Sequence, residues 1–198
     1  MPIRKIAQLG EPVLRQQARP LTLEEIASPE MRRVVDDMIE TMRDANGAGL
    51  AAPQIYESIQ LVVIELATNP RYPNLTDIPL TVLVNPKVTP LVDVIAGSNA
   101  PDDSITVYEG CLSVTGLRGR VTRPRRVSVE ALDLGGKAIA FIWEGFAAAV
   151  VQHETDHLHG TLYVDRVDPK TLMFLREFER YVPLEQRVVD GAFTIGGT

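Results

Sequence analysis

Cysteine, tryptophan and histidine are scarce in this 198-residue chain: one, one and three respectively. One cysteine excludes an internal disulfide framework, so burial must hold the fold, and a reducing compartment suits it. No apolar run approaches the roughly 20 residues a membrane helix needs. The opening MPIRKIAQLG lacks the apolar segment of a secretory signal. Basic residues are outnumbered: the formal charge is −6. DNA, which selects clustered Lys and Arg, is therefore not an expected partner. There is no internal repeat and no low-complexity tract. These absences leave a cytoplasmic, non-membrane protein as the expectation, folded as one domain over 1–198.

What remains is ordinary globular material, 45% apolar and 23% charged. Thr22 with Glu25 has the spacing of a capping box for a short helix. Ser28 and Pro29 can start a longer one, in which Met31, Val34, Val35, Met38, Ile39 and Met42 form an apolar stripe. Asn46 and Gly47 tolerate the left-handed backbone that ends a helix. Strands are expected at 59–66 and 80–92, with Pro86 and Pro90 at bends or edges because proline cannot donate to a ladder. Val127, Val129 and Ala131 alternate, as do Ile139, Phe141 and Trp143, which predicts a hairpin around Gly135-Gly136. A helix from about Gly145 to His159 follows, then a brief strand TLYVD and a last helix capped by Asp168 and Pro169. The pattern is α+β: mostly antiparallel sheets around a central histidine-bearing helix, with a C-terminal helix.

All three histidines fall within VVQHETDHLHG. His153 and His157 are four apart, so on a helix their Cβ atoms lie about 5–6 Å from each other. Two imidazoles so placed reach one metal, and Glu154 beside the first can serve as general base: H-E-x-x-H. The apolar GFAAAVV before the motif implies a buried helix, and buried polar groups need partners. His159 lies roughly 200° around the helix from His157 and reads as a helix-terminal residue with no catalytic role. A third ligand must come from elsewhere. Tyr163 occupies the place where the extended zinc-protease pattern wants histidine. Glu177 would complete a His₂Glu zinc endopeptidase. Cys111, in YEGCLSV, is the other candidate.

Three stretches in order, GAGLAAPQ (47–54), EGCLS (109–113) and QHETDHLHG (152–160), closely resemble the signature motifs of the peptide deformylase family. The resemblance runs from the helix before Gly47 to GTLYVDR after the histidines. It implies removal of the formyl group from the initiator N-formylmethionine of nascent polypeptides. It implies Cys111, His153 and His157 as metal ligands with a position open to solvent, holding Fe²⁺ and accepting Zn²⁺, Ni²⁺ or Co²⁺. Glu154 would move the proton, while the Leu112 N–H and the Gln54 amide would stabilise charge on the formyl oxygen. Phe146, Ala149 and Val107 match the family's pocket lining, and each serves equally well as core. The substrate backbone would pair with main chain near Ala48, Gly49 and Gly110.

Several residues stay open at this level. Asp156 fits an imidazole-orienting role or a solvated charge, and Arg118 and Arg123 fit substrate contact or pairing with acids such as Glu109. Thr115 stands where many members carry proline. Long loops flank the second motif at 67–79 and 95–104. Bacterial relatives are thought to dock on the ribosome through a basic C-terminal helix, but KTLMFLREFERYV mixes Arg176 and Arg180 with Glu177 and Glu179, which does not support docking there. A mature organellar form fits the sequence as well as a bacterial one.

Overall fold

The structure, a computed structural model, describes residues 2–66, 78–91 and 104–187. The two flanking loops expected from sequence fall almost wholly outside these residues, as does the tail from 188. Five strands form one antiparallel sheet in the order β1 (Gly49–Ala51), β2 (Leu61–Leu66), β3 (Ile78–Pro90), β6 (Arg126–Leu132), β7 (Ala138–Glu144). A second sheet takes β4 (Ser104–Cys111), β5 (Val114–Pro124) and the two-residue β8 (Met173–Phe174). β1 is an edge of the first sheet and β4 an edge of the second.

The apolar run of β2 is buried on both sides because each face of the large sheet carries a helix. Leu61 and Val63 pack with Met31, Val35, Met38 and Met42 of α2 (Pro29–Asp44). Val62 and Ile64 pack with Ala148, Val150 and Val151 of α3 (Gly145–Leu158). Strands covered on both faces lose the polar alternation of a half-exposed strand. Each side chain fully buried there contributes roughly 1.5–3 kcal/mol. The short helix α1 (Leu23–Ala27) has the expected capping box, with Thr22 Oγ1 accepting from Glu25 N and Glu25 accepting from Thr22 N. The hairpin of β6 and β7 turns at Asp133–Gly136, where Asp133 Oδ1 accepts from the Gly135 and Lys137 N–H groups.

Three local expectations change. Only Asn46 takes the left-handed backbone after α2 (φ 53). Gly47 is there for space, since a Cβ would sit 2.9 Å from Leu112 Cδ1. TLYVD is not a strand: Tyr163–Asp165 is a 3₁₀ turn, closed by Asp165 accepting from Leu162 N. Asp168 caps a 3₁₀ turn, Pro169–Thr171, and the helix α4 starts later, at Leu175–Tyr181, after β8 has paired with β5. A short α5 (Leu184–Arg187) follows. Pro86 sits in a register shift between Val84 and Lys87, where β3 leaves β2 for β6, beside Asn85 at φ 50. The strand survives its proline because the break falls where no ladder bond is required.

An extended segment at the N-terminus completes the fold. Ala7 N donates to the Gln54 carbonyl at 2.8 Å and Leu9 N to the Ser113 carbonyl at 2.7 Å. Gln8 Nε2 reaches the Leu112 carbonyl at 3.1 Å, and Thr115 Oγ1 donates to Gln8 Oε1.

Candidate active site

The edges of the two sheets and the side of α3 enclose a cavity of about 600 Å³. α3 brings His153 and Glu154 to it, with His157 one turn behind; all three are buried, as the apolar run ahead of them implied. β4 brings Cys111 at its last position. The ligand atoms of Cys111, His153 and His157 all lie within 4.8 Å of one another. His157 Nε2 is 3.3 Å from Cys111 Sγ. Sγ also accepts from Ser113 N at 3.4 Å and from Gln54 Nε2 at 3.5 Å.

Glu109, two residues before Cys111 on the same face of β4, accepts from His153 Nδ1 at 2.8 Å. That bond leaves Nε2 of His153 for the cluster. Burial opposes the Glu109 charge, yet Arg123 and His153 outweigh it and hold the carboxyl at about 2. Burial likewise opposes charge on His153, but its bonds to Cys111 and Glu109 raise its pKa well above the usual value. Burial and the neighbouring His153 push His157 well below it, so that ring is neutral. A thiol sulfur and two converging imidazoles suit a divalent cation of borderline softness.

Glu154 has a carboxyl oxygen, Oε2, that is buried without a partner. Burial pushes this carboxyl up to about 7. It lies against Gly49, where a Cβ would come within 2.5 Å of Oε1. Gln54 is buried in the 3₁₀ turn Ala52–Ile55; Oε1 accepts from Ala51 N at 2.8 Å, which turns Nε2 toward Cys111 and Ser113. Leu112, Ala48, Gly49 and Gly110 line the cavity. Val107 and Ala149 pack with Ile105 and Phe146 as a small apolar cluster in the same wall, so they are core and lining at once.

Other expectations resolve differently. Asp156 touches arginines rather than an imidazole: it accepts from Arg123 Nη1 at 2.8 Å and from Arg166. The imidazole-orienting carboxylate is Glu109, which sequence reasoning treated only as an acid for arginine. Its signal was the two-residue step from Cys111. Arg123 is buried and pairs with Glu109 and Asp156. Arg118 folds over Gly110 in the cavity wall, donating to the Leu117 carbonyl. His159 is exposed at the end of α3. Glu177 stands outside the Cys111, His153, His157 cluster, so the endopeptidase alternative is not favoured.

A family model, polypeptide deformylase, matches residues 3–172. The chain belongs to the polypeptide deformylase family. It is 41% identical over 178 residues to peptide deformylase of Leptospira biflexa, covering 89% of this chain and 94% of that one. It is 45% identical over 169 residues to peptide deformylase 2 of Ralstonia nicotianae, covering 85% and 89%. The fold is similar to class I type b peptide deformylase of Acinetobacter baumannii bound to Met-Ala-Ser (TM-score 0.77, 36% identity, 84% of this chain and 99% of that one). The protein is accordingly a metal-dependent hydrolase that removes the N-formyl group from the initiator methionine of nascent polypeptides. No helix among its described residues is long and apolar enough to cross a membrane.

Proposed function

We propose that Cys111, His153 and His157 hold Fe²⁺, with Zn²⁺, Ni²⁺ or Co²⁺ able to replace it, and that Glu154 is the proton carrier of deformylation. The observation carrying this reading is the unpartnered Glu154 oxygen, buried beside a Cys/His/His cluster and facing the same cavity. A cation there would supply Lewis acidity, acidifying water and polarising the formyl oxygen. The chain's own residues do the rest. Glu154 takes a proton from the water whose oxygen adds to the formyl carbon. As the C–N bond breaks and formate departs, the same carboxyl returns the proton to the α-amine. A value near 7 suits a group that must accept and give at neutral pH. Gln54 Nε2 and the Leu112 N–H donate to the formyl oxygen as charge builds there. A neutral amide does so without trapping the anionic product.

The methionine side chain enters the pocket of Val107, Phe146 and Ala149. The substrate backbone lies as an added strand between two unpaired edges, along Ala48 and Gly49 on one side and Gly110 on the other. The relative bound to Met-Ala-Ser supports a peptide beginning with methionine. A reducing cytoplasm suits an unpaired thiol ligand.

The test uses anaerobically prepared protein, metal analysis and hydrolysis of a formyl-Met peptide. Cys111→Ser should lose the metal. Glu154→Gln should keep it and lose about 10²–10⁴-fold in kcat. Gln54→Ala should keep it and lose on the order of 10²–10³-fold. Full metal content in Cys111→Ser, or undiminished turnover in Glu154→Gln, would overturn the assignment.

A further inference from the structure

From the cavity wall outward past the cluster runs a chain of four charged groups that the reaction does not use directly. Arg166 holds Asp156 with Nε and Nη2, each at 2.7 Å. Asp156 accepts Nη1 of Arg123 at 2.8 Å. Arg123 is 3% exposed, and its other N–H groups grip Glu109, Nε at 2.5 Å and Nη2 at 2.9 Å. Glu109 Oε2 then accepts from Nδ1 of His153 at 2.8 Å. A second cavity, of about 400 Å³, opens at the outer end against Arg123, Asp156 and Arg166, while Glu109 at the inner end lines the first cavity.

A guanidinium this buried needs a carboxylate on each side to be satisfied. With Asp156 in place, Arg123 is pinned from two directions and presents a fixed fork to Glu109. With Asp156 removed, Nη1 turns toward solvent in the second cavity, and the fork takes Glu109 with it. The Nδ1–H of His153 then loses its fixed acceptor, and the ring is free to rotate. That loss weakens metal binding without any contact with the metal. Arg166 acts one step further out, by fixing the Asp156 carboxylate in the orientation that faces Arg123.

We propose that Asp156 and Arg166 are positioning residues for His153, acting through Arg123 and Glu109. The inference rests on the reading of His153 as a metal ligand. Its test measures Co²⁺ affinity by competition with a chelator, together with the visible spectrum of the Co²⁺-loaded protein. Asp156→Ala should bind Co²⁺ about 10–100-fold more weakly, with altered d–d bands. Asp156→Asn, which keeps an acceptor for Arg123 but not the charge, should fall between that variant and wild type. Arg166→Gln, a change at a half-exposed side chain that leaves the core intact, should lose roughly three- to tenfold. KM for a formyl-Met peptide should be unchanged in all three once they are fully loaded. Wild-type affinity and spectrum in both Asp156→Ala and Arg166→Gln would overturn the proposal, even if melting temperatures fell, because a purely structural role moves stability alone. Should Asp156→Ala fail to fold, wild-type affinity in Arg166→Gln overturns it by itself. Cys111→Ser separates the two readings. Unweakened Co²⁺ binding there sinks the ligand set, whereas weakened binding there with unchanged Asp156 and Arg166 variants sinks only the relay.

Discussion

At the scale of single residues, the two glycines that flank the cavity illustrate how space becomes chemistry. A methyl group at Gly49 would come within 2.5–2.6 Å of the Glu154 side chain, which is buried and must shift to make room. A methyl group at Gly110 meets the guanidinium of Arg118 instead, the far end of a long, partly exposed side chain. Gly49→Ala should therefore lose on the order of 10²-fold in kcat, the effect of displacing the proposed proton carrier by about 1 Å, with metal content unchanged. Gly110→Ala should lose less than Gly49→Ala, because Arg118 can swing aside; steady-state kinetics on both variants checks the order. The sequence makes Cys111, His153, Glu154 and His157 legible because motif spacing carries their chemistry. It offers the pairing of Arg123 with Glu109 as one of two readings, but hides the bonds from Glu109 to His153 and from Arg123 to Asp156, 44 and 33 residues apart along the chain. No local pattern announces a bond across that distance.

At the scale of elements, legibility follows how local the cause is. The capping box of α1, the stripe of α2 and the hairpin of β6 and β7 are written in neighbouring residues, and all three form. β1 and β8 are not: three and two residues long, they exist because β2 and β5 offer them an edge. TLYVD has strand composition but no partner, and it closes on itself as a turn. The α1 cap gives a pH signature. Its Glu25 carboxyl is held at about 2, below the ordinary 4.5, by Arg19 first and the Thr22 N–H second. A lowered carboxylate pKa contributes stability that is complete above 4.5 and fades as pH falls toward 2. Glu25→Gln keeps the capping geometry and removes the charge. Urea midpoints between pH 6 and pH 3 should thus fall less steeply in that variant than in wild type.

At the scale of the whole molecule, the cluster is where separate parts of the core meet. Cys111 packs with Val121, Leu162 and Tyr163 beside the small sheet, whereas the helix bearing both histidines packs on the large one. A cation held by all three, as proposed, would tie the sheets together and add its binding energy to that tie. Chelation should lower the melting temperature and speed hydrogen exchange in β4 and β5 more than in β2 and β3, whose packing does not involve the cluster. Cys111→Ser should show the faster exchange with or without metal added.

The opening segment gives this arrangement a further dependency. Ala7, Gln8 and Leu9 donate to the carbonyls of Gln54, Leu112 and Ser113 respectively, along the backbone of both groups proposed to face the formyl oxygen. It works as a lace drawn through two eyelets before the shoe is worn: nothing it touches reacts, yet it sets how far apart the two sides stand. Removing residues 1–9 should leave metal content near normal while turnover drops, although every side chain of the cavity is still in place.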